Sequence, residues 1–163
     1  MINKLHLAMI KLYRGDAKRI QHFCKVHSYA KLIAETENVD KECLFIIEAA
    51  ALTHDIGIHS AKKNMETAME NYKKKEGPAI AEKMLKELGF DQDVSDRVQY
   101  LIAHHHTYNN IDEIDYQILV EADFLVNIME DGLSKEAALK AYESIFKTTC
   151  GKMICREMFD FCS

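Results

Sequence analysis

The stretch EAAALTHDIGI, residues 48–58, decides how this chain is read. It closes a segment from about Asp40 to His54 that is apolar on nearly every side: Leu44, Phe45, Ile46, Ile47, Ala49, Ala50, Ala51 and Leu52. A helix apolar all round is a buried central helix. Gly57 follows and can take the left-handed conformation that ends a helix. His54 and Asp55 therefore stand where burial should forbid them. A second such place is Asp123, inside the apolar run ILVEADFLVNIM of residues 118–129. A buried carboxylate must be paired, hydrogen-bonded or metal-bound, because leaving it ionised and alone costs many kcal/mol. Taken singly, His54 reads as a cap interacting with the helix dipole, and each Asp as a cap or salt-bridge partner. Taken together, buried Asp and His side chains are the composition of a divalent-metal site.

Working outward, helical spacing fills most of the chain. A first helix is expected from Asn3 to Tyr13, stopping near Gly15, and a second from the N-cap Asp16 to about Glu37. On the second, Ile20, Phe23, Val26, Ala30 and Ile33 recur at helical spacing. Residues 58–75 are polar and poorly periodic and read as loop plus a short helix. Gly77-Pro78 opens a helix to Leu88 with Gly89 as its stop, and another runs from Asp93 to His106. Asn109-Asn110 marks a turn, Ile114 to Met129 is apolar on most sides, and Ser134 to Phe161 reads as two helices broken near Gly151. His105 shares a face with Val94, Val98 and Leu101 and should point inward, whereas His106 looks more exposed. Met65, Met69, Met84 and Met129 read as core or gap-filling residues.

The composition agrees with an all-α protein of one domain, residues 1–163. One proline and six glycines leave long helices possible and disfavour a many-stranded sheet with tight turns. A formal charge of −5 argues against a nucleic-acid polymer or an acidic membrane as partner, though not against a small anionic substrate. No stretch approaches the ~20 apolar residues of a membrane span, and the N-terminus MINKLHLAMIKLYRGD does not read as a signal peptide. The five cysteines Cys24, Cys43, Cys150, Cys155 and Cys162 are odd in number and contain no CxxC pair. They read as reduced thiols in a cytoplasm. The Cys150/Cys155 spacing fits no zinc pattern.

Four ordered stretches resemble the HD superfamily of metal-dependent phosphohydrolases. They are RIQHFCKVHSYAKLIAE (19–35), EAAALTHDIGI (48–58) with its adjacent His54-Asp55 pair, YLIAHHHTY (100–108) and QILVEADFLVN (117–127). A lone His-Asp dipeptide is a weak signal; the ordered set is a strong one. The register of the first stretch, a His followed by Val26, Ala30 and Ala34, selects His22 and leaves out His27, a choice periodicity does not make. The resemblance implies an all-α helical bundle of about seven to nine helices. In it His22, His54, Asp55 and Asp123 converge on one divalent metal (Mn, Fe, Ni, Co, Zn or Mg), with a second ion compatible. It also implies phosphoester hydrolysis in a nucleotide or small phosphorylated metabolite. Asp55 is then the candidate for orienting the attacking water or accepting its proton, and His104 and His105 for stabilising phosphate or holding the second ion.

Two departures bear on that reading. Many HD proteins carry Lys where Ile58 stands, so a phosphate contact is not expected there. Many two-metal members carry His where Glu76 precedes Gly77-Pro78. The stretch YKKKEGPAIAEKML is similar to a subset of small bacterial HD proteins with an EGP motif. Glu76 is thus a candidate substrate, water or second-metal contact, or equally a carboxylate in a helix's first turn. Lys62, Lys63, Lys73, Lys74 and Lys75 make the 58–75 region basic, either as a lid that attracts an anion or as a solvated surface. Two other readings stand beside the hydrolase: a non-catalytic or signalling HD module that binds a nucleotide, and an HD-type di-iron oxygenase. The C-terminal residues Phe146, Met153, Met158, Phe159 and Phe161 can pack on the domain or on a second copy in a homodimer.

Overall fold

The computed structural model describes residues 1–57 and 69–161, with side chains described for 1–57 and 76–161. Among the described residues there are eight helices and no strand: α1 (Ile2–Leu12), α2 (Ala17–Thr36), α3 (Lys41–Thr53), α4 (Met69–Glu87), α5 (Gln92–His104), α6 (Ile114–Glu130), α7 (Lys135–Ile145) and α8 (Thr149–Phe159). The all-α expectation holds, and so does the expected helix number. No described helix is long and apolar enough to cross a membrane.

Local chemistry sets the starts. Asp16 accepts from the Arg19 amide at 3.1 Å and Asp40 from the Cys43 amide at 2.8 Å. Ser134 and Thr148 do the same for α7 and α8. Each supplies an acceptor to an amide that has no partner inside its helix, worth about 1 kcal/mol. Gly89, at φ +81, ends α4 in the conformation that costs glycine least.

The hub is α3. Ile47, Ala49, Ala50, Ala51 and Leu52 are fully buried, and α1, α2, α5 and α6 pack around it. The alanine run matters because small side chains let neighbouring helices come close. Its outer end is less buried: Leu44, Phe45 and Ile46 are half-buried, and Phe45 stacks on Phe90 at 5.2 Å. The second buried helix, α6, packs against α2 and α3 and also contacts α7 and α8.

Three expectations need correction. The helix expected to open at Gly77-Pro78 begins at Met69, with Pro78 inside it. Glu76 therefore lies within α4, exposed, and not in a first turn. Gly77 is there for close approach: a Cβ would lie 3.2 Å from Ile102 Cγ2 and 3.7 Å from the Gly57 amide nitrogen. The break in the C-terminal segment falls between Ile145 and Thr149, and Gly151 lies inside α8. Its missing side chain makes room for Glu121, whose Oε2 lies 2.0 Å from where a Cβ would sit. Met129 is 60% exposed and fills no gap, whereas Met84 packs against the core. Met65 and the Met69 side chain lie outside the described residues, as do Ile58, Lys62, Lys63, Cys162 and the side chains of Lys73, Lys74 and Lys75. Among the C-terminal aromatics, Phe146 is buried and Phe159 and Phe161 pack partly against the core, while Met153 and Met158 are exposed. The four described cysteines are free.

Candidate metal centre

Four helices send side chains to one buried point. His22 comes from the second turn of α2, His54 from the C-cap of α3, and Asp55 from the turn that follows. His105 is the C-cap of α5, and Asp123 lies midway along α6. His54 keeps helical angles (φ −51°, ψ −35°), so adjacent His54 and Asp55 reach the same point from a helix end. Tyr13, the C-cap of α1, fixes that end: its hydroxyl donates to the Asp55 carbonyl at 2.9 Å and the Ile56 carbonyl at 3.2 Å.

The donor atoms are crowded. His22 Nε2 lies 3.1 Å from His54 Nε2, 3.4 Å from Asp123 Oδ1 and 3.7 Å from Asp55 Oδ2. His54 Nε2 lies 3.5 Å from Asp123 Oδ1 and 3.6 Å from Asp55 Oδ2. His105 Nε2 is 3.8 Å from Asp55 Oδ1. The far nitrogens show which ring atom faces inward. His54 Nδ1 is 2.9 Å from the Ala51 carbonyl and His105 Nδ1 is 2.8 Å from the Ile102 carbonyl. A carbonyl only accepts, so each Nδ1 donates to it and each ring turns its Nε2 to the cluster.

Such a cluster fits a cation. Asp55 Oδ1, Asp123 Oδ1 and His105 Nε2 are buried with no hydrogen-bond partner. Orphaned buried polar atoms cost roughly 1–3 kcal/mol each, more when charged, so three at one point require a partner. Two imidazole nitrogens ~2.1 Å from a common ion lie about 3.0–3.4 Å apart at angles near 90–110°. The His22–His54 separation falls in that range. Within the cluster, burial works against charge on the Asp55 and Asp123 carboxyls. The surrounding imidazoles more than offset it, and both are held below the usual carboxylate range. Burial pulls His22 down, but Asp123 and Glu130 outweigh it and raise its pKa.

The family model for the HD domain matches residues 19–144, most of the chain. The chain belongs to the HD-domain family. Its fold matches the crystal structure of a predicted HD superfamily hydrolase from an uncultured Thermotogales bacterium. The TM-score is 0.71 at 21% identity, over 98% of this chain and 85% of that one. No curated protein matches it. The matched HD segment spans every residue of the cluster, while α1, which supplies Tyr13, precedes it.

Against the residues expected from sequence, the HD fold brings His22, His54, Asp55, Asp123 and His105 together. His104 points elsewhere: its ring stacks on Tyr100 at 4.2 Å and its Nδ1 lies 2.7 Å from the Tyr100 carbonyl. His106, exposed as expected, has its ring 3.9 Å from that of His105 and forms a donor group with His105 and Asp123. His27 pairs with Glu48 at 3.0 Å, and neither His27 nor Glu76 belongs to a donor group among the described residues. Lys62 lies outside them.

Two residues at the centre were not anticipated. Arg19 Nη1 lies 2.5 Å from Asp55 Oδ2, and its side chain is 24% exposed. Glu130 Oε2 is 2.9 Å from His22 Nδ1, while its Oε1 is 2.6 Å from Lys25 Nζ. Each is one or two helical turns from a ligand on its own helix, a spacing that nominates them without singling them out.

Proposed function

We propose that the protein is a hydrolase that cleaves a phosphoester bond in a small phosphorylated metabolite or nucleotide, using a divalent cation held by His22, His54, Asp55 and Asp123. The observation that carries this reading is the meeting of two imidazole nitrogens and two carboxylates at one buried point with three orphaned polar atoms. A cation there would lower the pKa of a bound water toward ~7 and polarise a phosphoryl oxygen. Asp55 has one oxygen toward the other ligands and one, Oδ1, without a partner. That oxygen would orient the attacking water or accept its proton. His105, with Nε2 turned inward, is placed to donate from that nitrogen to a phosphoryl oxygen or to hold a second ion. Arg19, partly exposed beside Asp55, supplies a planar fork of donors suited to phosphate oxygens. His104 serves the site only if its ring leaves Tyr100. The chain works as one domain, residues 1–163, and takes a small anionic substrate.

Elemental analysis of the purified protein, with metal-dependent phosphate release from a panel of nucleotides and phosphoesters, tests the reading. Bound metal together with phosphate release supports it. Metal bound but no release with any metal or substrate favours a nucleotide-binding module. Oxygen consumption by the iron-loaded protein favours an oxygenase.

A further inference from the structure

We infer that Glu130 is a positioning residue that fixes the His22 ring for metal binding, an inference that rests on the metal-site reading above. An imidazole binds a cation only through a nitrogen without a proton, so the proton of the neutral ring must sit on the other nitrogen. His22 Nε2 faces His54, Asp123 and Asp55. Its Nδ1 faces Glu130 Oε2 at 2.9 Å. A carboxylate only accepts, so it holds the proton on Nδ1 and leaves the Nε2 lone pair toward the cluster.

The backbone makes this arrangement rigid. Asp123 and Glu130 are seven residues apart on α6, so they share a face, about 10.5 Å apart along the axis. The His22 imidazole is bracketed between them, with Asp123 Oδ1 at 3.4 Å from one nitrogen and Glu130 Oε2 at 2.9 Å from the other. Lys25, three residues past His22 on α2, holds the second Glu130 oxygen at 2.6 Å. His54 and His105 rely on backbone carbonyls for the same purpose. Of the three buried rings among the described residues, His22 alone leans on a side chain that substitution can remove.

Metal affinity of the metal-stripped protein, measured with Zn²⁺ against a chelating indicator, tests this. Glu130→Ala should weaken binding by about 10- to 100-fold, the usual cost of losing an outer hydrogen-bond partner of a ligand. Glu130→Gln should recover most of that loss, because its amide oxygen still accepts from Nδ1–H while its ion pair with Lys25 is gone. If Glu130 were only a tie between α2 and α6 through Lys25, the Gln variant would bind as weakly as the Ala variant, and the inference would be overturned. Parent-like affinity of Glu130→Ala overturns it too, and leaves the metal site standing. Absence of Zn²⁺ binding by the parent protein overturns both readings.

Discussion

Gly151→Ala is predicted to destabilise the protein, although helix propensity alone says the opposite. Gly inside a helix is about 0.5–1 kcal/mol worse than Ala, so on propensity the substitution in α8 should stabilise. The local geometry reverses the sign. A Cβ at residue 151 would lie 2.0 Å from Glu121 Oε2 and 2.7 Å from Thr148 Oγ1. A glutamate end is ordinarily easy to move, but this one is fully buried. Glu121 Oε1 accepts from Gln117 Nε2 at 2.7 Å, the Lys147 amide at 2.6 Å and the Thr148 amide at 2.9 Å. The Thr148 hydroxyl donates to its Oε2. Displacing it breaks bonds worth roughly 1.5–3 kcal/mol each to a charged group, and a buried charge that loses its partners costs about 3–5 kcal/mol. That exceeds the propensity gain several times over. At about 2–4 °C per kcal/mol for a chain of this size, the melting temperature should fall by ~10 °C. Urea and thermal unfolding followed by far-UV circular dichroism measure it. In a Glu121→Ala background the same substitution should cost far less, because the struck oxygen is gone. A Gly151→Ala protein that melts at or above the parent temperature would refute the reasoning.

Other outcomes follow from the same structure. His54→Ala or Asp55→Ala should abolish metal content and activity with helix content kept, and His27→Ala should keep the metal. Elemental analysis that finds metal lost from the His27 variant but not from a His22 variant would move the site to the other histidine. Arg19→Ala should lower kcat/KM for phosphorylated substrates by roughly 10- to 100-fold, the value of one charged hydrogen bond. Its metal content should hold; steady-state kinetics on the metal-loaded variant decide. Cys155 is fully buried, and burial, with Glu121 nearby, pushes its thiol up to about 12. The thiolate is the reactive form, so Cys155 should resist alkylation at pH 8 until the protein unfolds, as mass spectrometry of labelled peptides will report.

How much of this was legible in the sequence depends on how far apart the interacting residues lie. Asp16 and Asp40 cap their helices by contacts three residues long, and both are readable as written. His54, Asp55 and Asp123 stand out because polar groups in apolar helices demand partners. The choice between His22 and His27 is different. Both sit among apolar neighbours on one helix, and only the HD register separates them. The structure shows why periodicity was insufficient: His27 is also satisfied inside, by Glu48 from α3. Gly151 reads from sequence as a break between helices because the group it makes room for, Glu121, lies thirty residues earlier and on another helix.

Arg19 and Glu130 carry the more general lesson. Arg19 lies in the first turn of α2, where the helix dipole disfavours a cation, and Glu130 in the last turn of α6, where it disfavours an anion. Each such placement costs a few tenths to about 1 kcal/mol unless something offsets it. The offset is the centre itself: Asp55 draws Arg19, and His22 with Lys25 draws Glu130. Wrong-signed charge alone does not mark a functional residue. Lys18 occupies the same turn as Arg19 and is simply exposed. The difference is exposure, since Arg19 is drawn in against Asp55. Arg19 stands three residues before His22, and Glu130 seven after Asp123, so each shares a helix face with a buried ligand. Lys18, four before His22, also meets the spacing test, and exposure alone tells it from Arg19. Pairing across 36 residues for Arg19 and 108 for Glu130 is therefore settled by the fold and not by either helix. The sequence can nominate such residues, because a charge opposing its helix dipole beside a buried ligand needs a partner. Only the packing of α2 against α3 and α6 names that partner.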